Sequence, residues 1–206
     1  MNLRLPAPVA GIVRHEMTVL LAFGLWVARR RHGVRRGDGN RVFGYAREQA
    51  ALMYGFAFAC VVETVGLAYL LRDWPAVHQV VLFLDVYTVV MIVGLQAVSV
   101  TRPHVLGPTS LRVRKGAHVD LRIPLDNVTA VRRELRTSHT RTEGELDLDI
   151  GAMTSVTLEL AAPVERVTLF GRTQRVTVVR LHAEEPDALV RELRSRMEVR
   201  EVEVQP

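Results

Sequence analysis

The sequence predicts an α+β fold in two parts: a transmembrane helical bundle of two or three spans, then a soluble antiparallel β domain with a C-terminal capping helix. Two observations lead to this prediction. Long apolar runs are confined to the first half of the chain. From residue 106 onward, apolar and polar residues alternate in short runs, which is typical of half-buried strands. We therefore expect a membrane domain at residues 1–104 and a soluble domain at residues 105–206.

Two apolar runs are long enough to cross a bilayer. Residues 49–71 contain a single acidic residue, Glu63, and residues 77–100 contain only one histidine and one acid, Asp85. About 20 apolar residues in a helix cross the hydrocarbon core of a membrane. The intervening residues 72–76 include charges, a tryptophan and a proline, which is typical of a turn in the headgroup layer. These runs predict a helical hairpin.

The first apolar segment, residues 8–28, leaves two interpretations open. Its uninterrupted apolar part begins only at Met17, so a full span would carry Arg14, His15 and Glu16 into the membrane. The alternative is a helix that lies along the membrane interface. A cleavable signal peptide fits less well, because the arginine cluster follows the apolar part instead of preceding it.

The distribution of arginine predicts the orientation. Basic residues precede the second apolar run, follow the third, and form a cluster directly after the first segment: Arg29, Arg30, Arg31, Arg35 and Arg36. Loops rich in arginine and lysine stay in the cytoplasm. We therefore expect a bacterial inner (plasma) membrane protein with a cytoplasmic C-terminal domain. The five clustered arginines are expected to contact anionic lipid headgroups.

The charge balance and the missing motifs exclude several functional classes. The net charge of +5 lies entirely in residues 1–104, which contain 11 basic and 6 acidic side chains, while residues 105–206 contain 16 of each. A domain without net charge is a poor match for a polyanion, so no nucleic-acid partner is expected. The single cysteine, Cys60, rules out a disulfide framework. The absence of a phosphate loop and of a nucleophile motif favours a protein that is not an enzyme without deciding the question, and we expect no cofactor and no metal.

Alternating runs in the second half predict the strands and the closing helix. The strand runs lie at residues 111–113, 119–123, 128–131, 156–160, 167–169 and 176–181. Pro186 then suits the first turn of a helix whose apolar stripe consists of Leu189, Val190, Leu193 and Met197. Residues 136–149 are long, polar and mixed in charge, so we expect a loop there, although four acids alternate as they would on one strand face.

The pattern of residues 106–131 is similar to that of a known family. A strand ends at Lys115-Gly116, and a second strand leads into Ile123-Pro124-Leu125-Asp126-Asn127-Val128. This order resembles the opening hairpin of bacterial pleckstrin-homology-like domains attached to membrane helices. Residues 176–197 are similar to the last strand and capping helix of that fold. The resemblance implies an interaction or regulatory module with a protein partner, and it implies no catalytic residue.

Ionisable residues inside the apolar segments form the candidate functional site. Counted from the expected cytoplasmic ends, His15, Glu16, Glu63 and Asp85 lie about 18 to 22 Å deep, in one layer, at about 1.5 Å per residue. Such residues are expensive in a membrane and are functional hypotheses by default. Small residues share the helix face of Glu63, namely Gly55, Ala59 and Gly66, so we expect this face to point into the bundle.

This layer has three interpretations. Arg14 pairs with one of the acids and fixes the packing of the bundle. Alternatively, the acids bind a proton or a cation, and the chain is a proton- or cation-coupled membrane protein. The third interpretation is a membrane-embedded metal-dependent hydrolase that uses His15 and the three acids, although no H-E-x-x-H motif is present.

Overall fold

The computed structural model describes residues 7–29, 39–138, 142–168 and 171–204, and it is α+β, as predicted. The helices in this part of the chain are α1 (Ala7–Val27), α2 (Arg47–Leu70), α3 (Pro75–Thr101) and α4 (Pro186–Val204). The strands are β1 (Arg41–Phe43), β2 (His104–Leu106), β3 (Ser110–Lys115), β4 (Val119–Pro124), β5 (Val128–Arg136), β6 (Glu145–Leu148), β7 (Thr154–Val167) and β8 (Thr173–Leu181).

Helices α2 and α3 form the predicted hairpin. Both are long and apolar enough to cross a membrane, by length and composition. Pro75 occupies the first turn of α3, where its missing N–H is not needed. Only 6% of the most apolar stretch of α2, and 17% of that of α3, is buried inside the structure. The apolar side chains of the hairpin therefore cover most of its outer surface.

Helix α1 packs along α3 and runs in the opposite direction. Val19 and Ala22 of α1 pack against Val98 of α3, with Met91 beside them. Gly94 permits this close approach, because a Cβ atom there would lie 2.6 Å from a methyl group of Val19. Earlier residues of α1 lie toward the sheets, because His15 interacts electrostatically with His118 in the turn between β3 and β4. The helix therefore begins on the side of the sheets and leads away from them.

Helix α1 runs in the opposite direction to the one expected if residues 8–28 formed a complete span. A span over residues 8–28 would enter from the far side and end beside the sheets, but His15 lies near His118 and Val19 packs at Gly94, which gives the reverse direction. The chain has returned to the sheets by β1, which is hydrogen-bonded to β2. The apolar segment of α1, His15–Val27, is also shorter than a span.

The first sheet has the strand order β1-β2-β3-β4, and all of its neighbours are antiparallel. Strand β1 precedes α2, and β2 follows α3, so the two ends of the helical hairpin leave from neighbouring strands. Sequence analysis assigned no strand to residues 41–43. The expected domain boundary between residues 104 and 105 falls inside β2.

The second sheet has the strand order β5-β7-β8-β6 and is mixed, because β6 is parallel to β8. The prediction of a loop over residues 136–149 is wrong for β6. Its leucines, Leu146 and Leu148, are buried in the core, and the intervening acids point the other way. The alternation of the acids was therefore a strand signal.

The two sheets and α4 share one hydrophobic core. Leu189, Val190 and Leu193 of α4 are buried in it, as the apolar stripe predicted, together with side chains from both sheets. Helix α4 packs mainly against β5 and the short 3₁₀ turn Leu125–Asn127. The capping helix thus closes the domain.

Replacing Gly94 with alanine should separate α1 from α3. The new methyl group would lie 2.6 Å from Val19, which is almost completely buried. We expect a loss of about 1 to 3 kcal/mol in the free energy of unfolding, as is typical of overpacking. Gly66→Ala is the matched control, because nothing lies within 4 Å of its Cβ position. Thermal unfolding of both variants in detergent checks this, and Val19→Ala should rescue Gly94→Ala. Equal effects of the two glycine variants would contradict the packing.

Candidate functional site

The members of the predicted intramembrane layer have different environments. Glu63 is exposed on α2, and Asp85 is half-buried on α3. One carboxylate oxygen of Asp85 is buried without a hydrogen-bond partner. His15 and Glu16 of α1 are half-buried, while the side chain of Arg14 lies outside the described part of the structure. The expected pairing of Arg14 with an acid therefore remains a prediction.

The structure does not bring His15 and Asp85 to one level. His15 interacts electrostatically with His118, in the turn between β3 and β4. Asp85 lies 16 residues before the end of α3 at Thr101, which corresponds to about 24 Å along the helix. The depth estimate from the sequence assumed that α1 ends beside the sheets, whereas it begins there.

The small-residue face of α2 does not point into the helices of this chain. Among the described residues, nothing from outside the local helix backbone lies within 4 Å of a Cβ position at Gly55 or Gly66, and Ala59 and Glu63 on the same face are exposed. The expectation that this face points inward is therefore wrong for the chain as it stands. Of the arginines expected to contact headgroups, Arg29 is exposed, and the other four lie outside the described residues: Arg30, Arg31, Arg35 and Arg36.

The densest polar packing lies instead at the junction between the helical hairpin and the sheets. Tyr45, between β1 and α2, is 1% exposed, and its hydroxyl accepts a hydrogen bond from the Gly116 N–H at 3.1 Å. Burial raises the pKa of Tyr45, so the phenol stays neutral. The ring lies against that of His104, with centroids 4.9 Å apart. The buried Gln96 of α3 donates to the Ala46 carbonyl at 3.3 Å.

The sheet domain also caps the first helix of the hairpin. The Glu184 carboxylate, after β8, accepts a hydrogen bond from the Arg47 N–H at the start of α2, at 2.9 Å. The Glu184 N–H donates to the Gly44 carbonyl at 2.9 Å. A Cβ atom at Gly44 would lie 2.8 Å from the same carboxylate, so a side chain there would have to displace the cap. A carboxylate at this position also stabilises the positive end of the α2 dipole.

Three arginines surround Asp120 at the end of α3. Arg112 donates to both carboxylate oxygens, at 2.6 and 2.8 Å. Arg102, the residue that ends α3, donates to Asp120 at 3.0 Å and to the Gly116 carbonyl at 3.1 Å. The third, Arg114, is completely buried, with its Nε 3.6 Å from the carboxylate. Burial alone would raise the pKa of Asp120, but the hydrogen bond from Arg112 and the three positive charges lower it.

Two buried histidines connect the sheets behind this cluster. His104 accepts the Arg114 N–H at Nδ1 (3.1 Å), so its Nε2 carries the proton that it donates to the His182 carbonyl at 3.0 Å. Complete burial lowers the pKa of His104 to about 4, and the ring is neutral at physiological pH. The His182 ring is buried, with Nε2 3.3 Å from a carboxylate oxygen of Glu48 in α2. The hairpin and the sheets are thus joined on both sides of Tyr45.

A polar cavity of about 440 Å³ opens beside the arginine cluster. It lies between α1, the end of α3, the β3–β4 turn and β7, and its polar lining residues are Thr18, Arg102, His118, Asp120, Glu165 and Arg166. Burial and then the charges of Lys115, Arg166 and Arg102 lower the pKa of His118. The environment of this imidazole is therefore electropositive.

The junction is not predicted by the sequence. Arg112 and Arg114 belong to the basic residues after the third apolar run, which indicate orientation, and nothing in the sequence pairs them with Asp120 before the register of β3 and β4 is known. That register places Arg114 directly opposite Asp120. The one available signal was the alternation of charged residues with buried apolar residues along both strands.

Comparison of the chain with protein-family models, with curated proteins and with solved structures found no match. Within the described ranges, no three His, Cys, Asp or Glu side chains are arranged to hold a metal ion. The hydrolase interpretation therefore gains no support from the geometry.

Neutralising Asp120 should destabilise the junction. In Asp120→Asn, three guanidinium groups lose their shared counter-charge, and we expect a loss of about 2 to 4 kcal/mol in the free energy of unfolding. Asp126→Asn is the control, because Asp126 is exposed in the 3₁₀ turn. Urea unfolding at neutral pH measures both variants.

The pH dependence gives a second readout of the same pair. The folded state lowers the pKa of Asp120, so its contribution is complete above about pH 4 and is lost as the pH falls further. The Asp120→Asn variant should therefore lose less stability than the wild type in that acid range. Parallel losses in the two proteins would show that the ion pairs do not stabilise the fold.

Proposed function

We propose that this chain is an integral membrane protein whose α2–α3 hairpin crosses the bilayer and whose sheet domain is an interaction or regulatory module at the membrane surface. One observation carries the proposal: the long apolar helices of the hairpin are largely unburied. A core helix of a soluble protein would bury these side chains against its own chain. In a bilayer, the same exposed surface contacts lipid.

The sheet domain supports an interaction role more than a catalytic one. Its two sheets with a C-terminal capping helix are consistent with a pleckstrin-homology-like domain, and the resemblance of residues 106–131 and 176–197 favours the same fold. The arginine-rich ends of the hairpin favour a cytoplasmic domain at the inner membrane. A protein partner would bind this domain, and the lipid bilayer, with its anionic headgroups, would hold the hairpin.

The junction would fix the module relative to the membrane. Glu184 caps α2, Tyr45 and Gln96 are buried between the hairpin and the sheets, and Arg102 joins the end of α3 to Asp120. Because both helices enter the domain through hydrogen-bonded residues, the domain cannot turn freely on a linker. Such an arrangement would present one fixed face of the module to a partner.

Cysteine labelling tests the topology. Single cysteines at Asp73, in the hairpin turn, and at Asp126, in the sheet domain, are introduced into a Cys60→Ala background. A membrane-impermeant maleimide should label Asp73→Cys in intact cells and Asp126→Cys only after permeabilisation. Both sites are exposed in the structure, so failure to label does not reflect burial. Labelling of Asp126→Cys in intact cells, or release of the protein by carbonate, would contradict the proposal.

A second candidate function is proton or cation coupling at Asp85. The specific observation is its carboxylate oxygen, which is buried without a hydrogen-bond partner in the middle of α3. Acids at such positions in transporters hold protons or cations. Glu63 remains part of this hypothesis, together with His15 and Glu16, although the structure does not place His15 beside Asp85.

Proton flux tests this second candidate. Liposomes with the purified protein and an enclosed pH-sensitive dye should change pH under an imposed potential, and Asp85→Asn should abolish the change. Asp73→Asn is the control, since it removes an acid from the exposed turn. Equal flux in wild type and Asp85→Asn, or no flux above that of empty liposomes, would leave Asp85 without a coupling role.

A further inference from the structure

The cavity beside the arginine cluster has an excess of positive charge. Its two carboxylates already have arginine partners outside the lining: Asp120 is held by Arg112 (2.6 Å), and Glu165 is held by Arg175 (3.2 Å). Arg166, by contrast, donates only to the neutral Gln174 side chain, at 3.1 Å. No described carboxylate forms an ion pair with Arg166. The lining therefore retains the charge of this guanidinium.

Arg102 adds a second positive charge to the lining. It is 8% exposed, and its terminal nitrogens donate to the Gly116 carbonyl and to Asp120. The His118 imidazole and the Thr18 hydroxyl lie in the same lining. Together these groups form a site for a ligand that is anionic and rich in hydrogen-bond acceptors.

The position of the cavity indicates the source of the anion. Arg102 directly follows Thr101, the last residue of α3, and Thr18 belongs to α1, which packs along α3. If α3 spans the bilayer, its end lies among the lipid headgroups. Arginine forks bind phosphate oxygens with two parallel hydrogen bonds. The volume of about 440 Å³ is larger than a phosphate group needs and leaves room for a headgroup.

We propose that this cavity binds the phosphate of an anionic phospholipid headgroup, with Arg166 and His118 as its ligands and Arg102 as a further positive charge in the lining. The proposal rests on the proposed membrane span of α3 and names a lipid contact distinct from the arginines at residues 29–36. The bound headgroup would lie between α1, α3 and the β7–β8 hairpin. It would thereby tie the sheet domain to the membrane surface.

Native mass spectrometry of the full chain in mild detergent tests the site. With phosphatidylglycerol and phosphatidylcholine added at equal concentration, the wild type should retain phosphatidylglycerol with about tenfold preference, as one charge-assisted hydrogen bond provides. Arg166→Gln and His118→Ala should each reduce this preference, Arg166→Gln by about tenfold. Arg172→Gln is the matched control, because it removes an exposed arginine of the same hairpin that does not line the cavity. Equal retention of both lipids, or an unchanged Arg166→Gln, overturns the proposal.

A titration with inorganic phosphate tests this site independently of the proposed membrane topology. Inorganic phosphate is titrated against the thermal unfolding of the wild type and of Arg166→Gln in the same detergent. One outcome is that phosphate stabilises the wild type but not Arg166→Gln, while the wild type shows no preference for phosphatidylglycerol. That combination overturns the lipid assignment in favour of a soluble phosphate ligand. If the hairpin does not cross the membrane, the cysteine labelling detects this, and that experiment does not depend on Arg166.

Discussion

The pairing of β1 with β2 places the strongest constraint on this structure. Strand β1 ends just before α2, and β2 begins just after α3, so the two ends of a hairpin of more than fifty residues must meet in one sheet. Phe43 and Leu106 thereby enter the shared core from opposite ends of the hairpin. Tyr45, Gln96 and Glu184 then satisfy the backbone groups that this meeting buries. Without the pairing, the hairpin would be attached to the sheets at one end only.

Local signals in the sequence were sufficient for the helices and for most strands. The apolar runs of α2 and α3 are long enough that no tertiary information is needed to recognise them. Alternation identified β3, β4 and the central part of β7, whose apolar residues are buried as expected. Strand β1 was missed because three residues are too few to show a period. The missed β6 has a clear period, but its two leucines lie inside a longer run of four alternating acids, at residues 143–149.

The candidate site could not be predicted in the same way, because it depends on register and direction. Asp120 meets Arg112 and Arg114 only because of the pairing between β3 and β4, and it meets Arg102 only because α3 ends beside their turn. The depth of His15 depended on the direction of α1, which two tertiary interactions define together, Val19 with Gly94 and His15 with His118. Hydropathy contains no information about that direction. The depth estimated from the sequence was therefore wrong for α1, whose apolar segment is too short to cross the membrane.

The arginine cluster is not explained by stability alone. Ion pairs that are removed from water recover little more than the cost of desolvation, and apolar residues of similar volume often stabilise a protein as well or better. Arg114 is completely buried beside a carboxylate that it shares with two other arginines, and burial lowers its pKa. The contact of Arg102 with Asp120 forms only where α3 ends beside the turn between β3 and β4. The cluster therefore also specifies how the hairpin meets the sheets.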